Sequence, residues 1–179
     1  MKYNHWHSLF LLLFLTVPVN AASETSDPEN TLKAAISYNL ARFVTRDPQS
    51  GMTDTSPLVF CVHKDTPVAA ELAFMSAAKG RKRTIILREL NNYQDFYDGC
   101  DISFISNNNP DTLSLKRMAS AGSVTIGTKE GFLKDGGGIQ LVKNGQKFAF
   151  SVNITALKLA HKTLSSRVLQ LALKVEAAP

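Results

Sequence analysis

The hydrophobic positions of this chain change period repeatedly, and the changes mark out its elements. Leu32, Ile36, Leu40 and Phe43 stand three and four apart, with Ala35 and Val44 widening the stripe, which is the spacing of one helix face. Asp27 before Pro28 supplies a cap and a first-turn proline, and Ser26 with Glu29 offers a capping box in its place. Asp47-Pro48 and Gly51 are expected to end this helix, and 49–56 reads as a polar loop. Leu58-Val59-Phe60-Cys61-Val62 is a nearly unbroken apolar run, the mark of a strand covered on both faces. Asp65-Thr66-Pro67 then opens a helix with Val68, Leu72 and Met75 on one side. Further strands are predicted over 84–87, 102–105 and 123–126, with a helix carrying Leu113, Leu115, Met118 and Ala119 between the last two.

Beyond a loop over 127–135 the period settles at two. Ile139 and Leu141, then Phe148, Phe150 and Val152, form one apolar face on either side of Asn144-Gly145. Both turn residues accept the positive φ of a type I′ turn, so the segment reads as a hairpin. Asn153 switches the period to helical, and Ser165-Ser166 is expected to cap a last helix with Leu169, Leu171 and Ala172 inward. Strands alternating with helices predict an α/β fold: a single domain with a mainly parallel sheet flanked by helices and a C-terminal antiparallel hairpin edge. The first and last helices are expected on the same sheet.

The first residues stand apart from this pattern. Lys2 precedes an apolar run from Leu9 to Val17, and Val19-Asn20-Ala21 offers the small residues a signal peptidase reads. The run is shorter than the about 20 residues a membrane span needs. Residues 1–21 are therefore expected to be a cleaved signal peptide, 22–27 a linker, 28–175 the domain and 176–179 a tail. With 44% hydrophobic and 20% charged residues, the 179-residue chain has the composition of one globular domain. Loss of Lys2 takes the net charge from +5 to +4. The tight basic run, Lys79-Gly80-Arg81-Lys82-Arg83, carries no interleaved aromatics, so no nucleic-acid surface is predicted. In an exported chain the two cysteines, Cys61 and Cys100, suggest one disulfide; two buried free thiols are the alternative.

Catalytic chemistry finds little support. Asp135-Gly136-Gly137-Gly138 opens a strand, whereas a phosphate loop must open a helix. Cys61-Val62-His63 puts two potential metal ligands on one strand, but the other histidine of the mature chain, His161, is remote in sequence, and structural zinc wants four ligands. Ser165-Ser166 lacks a nucleophile-elbow context. No catalytic residue, metal or cofactor is assigned. Asn153-Ile154-Thr155 fits a glycosylation pattern at a strand–helix junction. Partner binding has better candidates: Phe132 in its glycine-flanked loop, and Tyr93, Phe96 and Tyr97 in a polar-aromatic stretch. Each could equally fold down onto the sheet. A small-ligand crevice is the rival reading, lined by residues after Val62, Leu87 and Ser106 at the carboxyl ends of the strands.

Leu32-Lys33-Ala34-Ala35, Tyr38-Asn39 and Ala41-Arg42-Phe43-Val44 open the mature chain; Cys100-Asp101-Ile102 and Phe104-Ile105-Ser106 follow in the middle. Gly127, Gly131-Phe132, Gly137-Gly138-Ile139, Phe148, Phe150, Asn153 and Ser165-Ser166 before Leu169-Gln170-Leu171-Ala172 complete the set. In this order and spacing the chain resembles the YfiR family of small periplasmic proteins. It departs where the family often has Trp-Pro and this chain has Thr45-Arg46-Asp47-Pro48. The resemblance implies a non-enzymatic repressor of a membrane-anchored, YfiN-like diguanylate cyclase, acting on its periplasmic region and lowering cyclic-di-GMP signalling and biofilm formation. It further implies an OmpA-like outer-membrane lipoprotein, YfiB-like, as a second partner, and a homodimer is compatible with it. Cys61 and Cys100 match the family's folding disulfide. A second cysteine pair known in the family is missing, so redox control through it is not expected here.

Overall fold

A computed structural model describes residues 27–46, 56–77, 83–106 and 110–178. Helix α1 spans Pro28–Ala41, and Asp27 caps it: its Oδ1 accepts the Glu29 N–H at 3.0 Å, with Pro28 in the first turn where a missing N–H is harmless. Strands β1 (Val44–Arg46) and β2 (Leu58–His63), helix α2 (Ala69–Ser76) and β3 (Ile85–Leu90) follow. A 3-10 turn over Tyr93–Tyr97 leads to β4 (Ile102–Ile105), α3 (Thr112–Ser120) and β5 (Val124–Gly127). The chain then runs through β6 (Ile139–Asn144), β7 (Lys147–Asn153), α4 (Ile154–Leu159), β8 (Lys162–Leu164), α5 (Ser166–Leu169) and β9 (Lys174–Glu176). Residues 1–26, which include the expected signal peptide and Ser26, as well as Gly51 and most of the basic run, lie outside the described residues.

Seven strands form the main sheet in the order β3-β2-β4-β5-β6-β7-β9. The first five are parallel, in keeping with the apolar run of β2, and β7 turns antiparallel to β6. Side chains of β2 alternate between two cores. Phe60 and Val62 join Tyr38, Leu72, Phe104 and Leu157 on the face covered by α1 and α2. Cys61 points the other way, toward Phe96, Cys100, Leu115 and Met118 beneath α3.

Four details differ from the sequence reading. Helix α1 stops at Ala41, before Asp47-Pro48, because Val44-Thr45-Arg46 pairs with Leu164-Thr163-Lys162 in a separate two-stranded sheet. Of the predicted stripe Leu40 is buried and Ile36 packs against the core, but the rest of the buried face is Ala34, Ser37, Tyr38 and Ala41, of which Ala34, Ser37 and Ala41 are small enough for close approach, while Phe43 is 48% exposed. The hairpin loop is Gly145-Gln146 rather than Asn144-Gly145. Asn144 pairs with Lys147, and Gly145 (φ +61°) takes the first central position, which a type II′ turn gives to glycine. Finally, the hairpin is not the sheet edge. Helix α5 is one turn long, Ser165 makes no side-chain cap, Leu171 is 73% exposed, and Leu173 N–H donates to Phe150 O at 2.8 Å. That bond draws β9 alongside β7 as the last strand.

The two sheets are tied through one carboxylate. Asp101, just before β4, accepts from Arg46 Nε (3.0 Å) and Lys162 Nζ (3.3 Å) on Oδ1, and from Arg46 Nη2 (2.5 Å) and the Val59 N–H (2.9 Å) on Oδ2. Burial alone would raise its pKa, but the Arg46 hydrogen bond, the Val59 amide and the neighbouring cations outweigh it and hold the carboxyl below its ordinary value. Lys162 is lowered instead, because burial together with the charges of Arg46 and Arg83 exceeds the pull of Asp101. Three cations thus share this corner with Asp101.

Next to it, Cys100 is bonded to Cys61 across 39 residues of chain, with the Cα atoms 5.8 Å apart. The disulfide therefore staples the start of β4 to the middle of β2. In the chain-entropy model a loop of this length is worth about 4 kcal/mol. Reduction, or the Cys61→Ala/Cys100→Ala double variant, is expected to lower stability by about 2–4 kcal/mol, read as a fall of the thermal midpoint. An unchanged midpoint would show that the bond adds nothing to the folded chain.

Asp101→Asn is expected to be destabilising by about 3 kcal/mol at pH 7, because Arg46 and Lys162 then stay buried without their counter-charge. The sign with pH is determined. Asp101 has a lowered folded pKa, so its contribution is complete above the ordinary value of 3.8 and disappears as pH falls through the folded value. Urea unfolding from pH 7 to pH 2 is therefore expected to show a steeper acid loss in the native chain than in Asp101→Asn.

Candidate functional site

In the main sheet the chain leaves β2 through α2 toward β3 and leaves β4 through α3 toward β5, in opposite directions. The point between the carboxyl ends of β2 and β4 is therefore a topological switch point, where open α/β sheets leave a crevice. A cleft of about 230 Å³ lies there, lined by Asp65, Thr66, Pro67 and Val68 after β2, Phe104 and Ser106 at the end of β4, Thr128 after β5, and Asn30 and Lys33 of α1. Of the three segments expected to form it, the one after Val62 is present and the one after Leu87 is not among its lining; Ser106 itself lines the cleft, while residues 107–109 after it lie outside the described residues.

The β2–α2 turn builds the floor of the cleft. The Thr66 N–H donates to His63 O at 2.9 Å, and Ala69 N–H donates to Thr66 O at 2.9 Å. Helix α2 consequently starts at Ala69, later than the Asp65-Thr66-Pro67 pattern suggests, and no side chain caps it. In contrast, α1, α3 and α4 are capped by Asp27, Asp111 and Asn153. On the α1 wall, Lys33 pairs with Glu29 at 2.7 Å and stands 5.8 Å over the Phe148 ring. Glu29 also binds Lys143, and hydrogen bonds from Lys143 and Lys33 lower its pKa to about 2. One carboxylate thus faces two ammonium groups.

Beside the cleft runs an aromatic row. His63 stacks on Tyr93 (5.3 Å between centroids) and Tyr93 on Phe96 (5.4 Å). Asp65 N–H donates to His63 Nδ1 at 3.3 Å, which leaves Nε2 to donate to Asn91 O at 2.7 Å. Tyr93 Oη reaches Ser106 Oγ at 3.1 Å, connecting the row to the lining. Of the aromatic residues singled out in the sequence, Tyr93 and Tyr97 are half-buried on the surface, and Phe96 is fully buried beneath them.

Phe132 takes the second of the two positions open to it. It is 2% exposed, folded under its loop, with its ring against the backbones of Gly127 and Gly137. A Cβ at Gly137 would stand 2.2 Å from the ring and one at Gly127 2.6 Å, which explains both glycines by close approach. Gly138 N–H donates to Thr125 Oγ1 at 2.9 Å, so the glycine run starts β6 and cradles nothing but the ring. Asn153 is 1% exposed; its side chain caps α4 and donates to Leu133 O at 3.2 Å, which withdraws it from modification. With Cys61 in the disulfide, no group of three or more His, Cys, Asp or Glu that could hold a metal stands among the described residues. What the pattern did not reveal was Asp101: its position after Cys100 was visible, but its partners come from β1, β2 and β8.

The fold and site define a doubly wound α/β domain with a small polar cleft at its switch point. Residues 30–173 match the YfiR/HmsC-like family, DUF4154, and the chain belongs to that family. No curated protein matches it. Among solved structures it is similar to a conserved domain protein from Vibrio cholerae O1 biovar El Tor (14% identity, 68% of this chain and 55% of that one, TM-score 0.46). It is likewise similar to the ABC domain in complex with L-Trp from Streptococcus pneumoniae (9% identity, 80% and 60% covered, TM-score 0.49). The chain thus spans less than two thirds of either structure.

The fit of Phe132 gives a direct test. Gly137→Ala is expected to be destabilising by about 1–3 kcal/mol through overpacking alone, since Gly137 has no positive φ. Pairing it with Phe132→Leu, which removes the obstructing ring edge, is expected to make the two substitutions less than additive in urea unfolding. Strict additivity would contradict the contact.

Proposed function

We propose that this protein is a periplasmic regulator that binds and represses a membrane-anchored diguanylate cyclase, lowering cyclic-di-GMP signalling and biofilm formation. The observation that carries the reading is membership of the YfiR/HmsC-like family over residues 30–173. Two features agree with it: the export-like pattern of residues 1–21, and a disulfide, which persists in oxidising compartments. The partner is the periplasmic region of a YfiN-like cyclase, and an OmpA-like, YfiB-like lipoprotein competes for the regulator. Such a protein needs no reacting centre. It holds the cyclase inactive by binding the inactive state more tightly than the active one, and a shift from 99:1 to 1:99 requires about 10⁴-fold differential affinity. Tyr93 and Tyr97 are the half-buried aromatics that we assign to partner contact; Phe96 supports them from below. A sensory small-ligand module is the second reading, favoured by the switch-point cleft.

Deletion of the gene is expected to raise cellular cyclic-di-GMP and surface attachment several-fold. The full chain is expected to restore both, and a chain lacking residues 1–21 to restore neither. Unchanged cyclic-di-GMP after deletion would remove the proposal's support, and rescue by the leaderless chain would place its action in the cytoplasm instead.

A further inference from the structure

The last strand of the main sheet has one side open. Strand β7 pairs with one side of β9, and among the described residues no strand lies on the other. The Leu173 N–H donates to Phe150 O, so the alternation of the strand turns the backbone groups of Leu173 and Val175 toward β7 and those of Lys174 and Glu176 outward. Outward N–H and C=O groups of this kind are a template for another strand. The side chains add an apolar strip. Leu173 is 60% and Val175 45% exposed, beside Phe150 and Val152 at the margin of the core under α1 and α2, and Leu171 in the preceding turn is more open still.

A lone lysine on an edge strand keeps a second copy away. Here Lys174 stands two residues from Glu176 on the same face, and the two form an ion pair. That spacing is complementary to itself. Two β9 strands related by a twofold axis run antiparallel, and matching their outward backbone groups leaves registers centred on Lys174, Val175 or Glu176. The first sets lysine opposite lysine and the last sets glutamate opposite glutamate, both unfavourable. The register centred on Val175 sets each Lys174 opposite Glu176 of the other copy.

We propose that β9 is a self-association edge: two copies of this chain pair antiparallel through Lys174, Val175 and Glu176 about a twofold axis at Val175, joining their sheets into one. Lys174 and Glu176 of opposite copies exchange backbone hydrogen bonds, and their four charges alternate in sign around the axis. Val175 meets its own counterpart in a non-hydrogen-bonded pair, where side chains stand closest, and Leu173 lies opposite the small Ala177. The same patch serves on both copies, so the assembly closes at two. A strand this short makes a small interface, and the expected Kd is about 1–100 μM. The inference does not rest on the cyclase reading, since it uses only the edge and its charges.

Sedimentation equilibrium of the mature chain from about 1 to about 300 μM tests this, and is expected to show a monomer passing to a dimer. Lys174→Glu and Glu176→Lys each place like charges opposite and are each expected to weaken the dimer at least about tenfold. An equimolar mixture of the two single variants, and the double variant Lys174→Glu/Glu176→Lys, are expected to restore it, because opposite charges again face each other. Register is read separately. With the native cysteines held in their own bond, oxidation is expected to link Val175→Cys into a covalent dimer and to leave Leu173→Cys unlinked. This readout serves if a charge-reversed variant does not fold. A monomer at every concentration, a dimer indifferent to the single reversals, failure of both the mixture and the double variant to restore it, or equal cross-linking at 173 and 175 would each overturn the proposal.

Discussion

The structure depends on one carboxylate placed where four segments meet. Asp101 accepts hydrogen bonds from Arg46 of β1, the Val59 amide of β2 and Lys162 of β8, while its own N–H donates to Val59 O and its carbonyl accepts from Val124. Without it, the small β1–β8 sheet would press two buried cations against the amino-terminal end of the main sheet. Such a cluster is a poor source of net stability, because desolvation consumes most of the Coulombic gain. Its contribution is to position: a fixed number of donors and one acceptor group admit few arrangements. The disulfide one residue earlier restrains the same corner covalently, so charge and covalent bond locate β4 against β2 together.

The opposite end of the sheet is organised by contrast, with little charge and much open space. Polar side chains there come from loops that follow β2, β4 and β5, and they meet only because the strand order reverses between β2 and β4. The amino-terminal end is locked by ion pairs and the staple; the carboxyl end retains an open cleft and an uncapped helix start. A regulator benefits from this division. A rigid base carries a surface whose occupancy can change, and differential affinity at that surface is all that a binding protein has to work with.

Phe132 illustrates how a loop residue that reads as a ligand anchor can be architecture. An isolated phenylalanine flanked by glycines has the composition of an exposed tip. The glycines are there because the ring lies against their backbones, and Gly127 and Gly137 come from opposite sides of the loop. The signal was present as a spacing of glycines around an aromatic, but that spacing serves either position. Thr66, by comparison, had no signal beyond a helix-start pattern, and only the fold places it in the lining of the cleft.

Local physics settled much in the chain by itself. A nearly unbroken apolar run marked β2 as a strand covered on both faces. Asp27-Pro28 and Asn153 placed helix starts, and period-two alternation placed the hairpin, because these signals act within a few residues. The same local signals carried α1 too far and made α5 a longer helix than it is. Those two errors have one origin. Residues 44–46 and 162–164 become strands by pairing with each other, and 174–176 by pairing with β7, and no window of sequence contains both partners. Tertiary structure alone decided the counter-ions of Asp101, the seat of Phe132 and the placing of Thr66 and Lys33 in the lining of one cleft. The first and the last depend on contacts between residues more than thirty apart or on the reversal of strand order; the seat of Phe132 rests on two glycines five residues to either side, a spacing that serves either position.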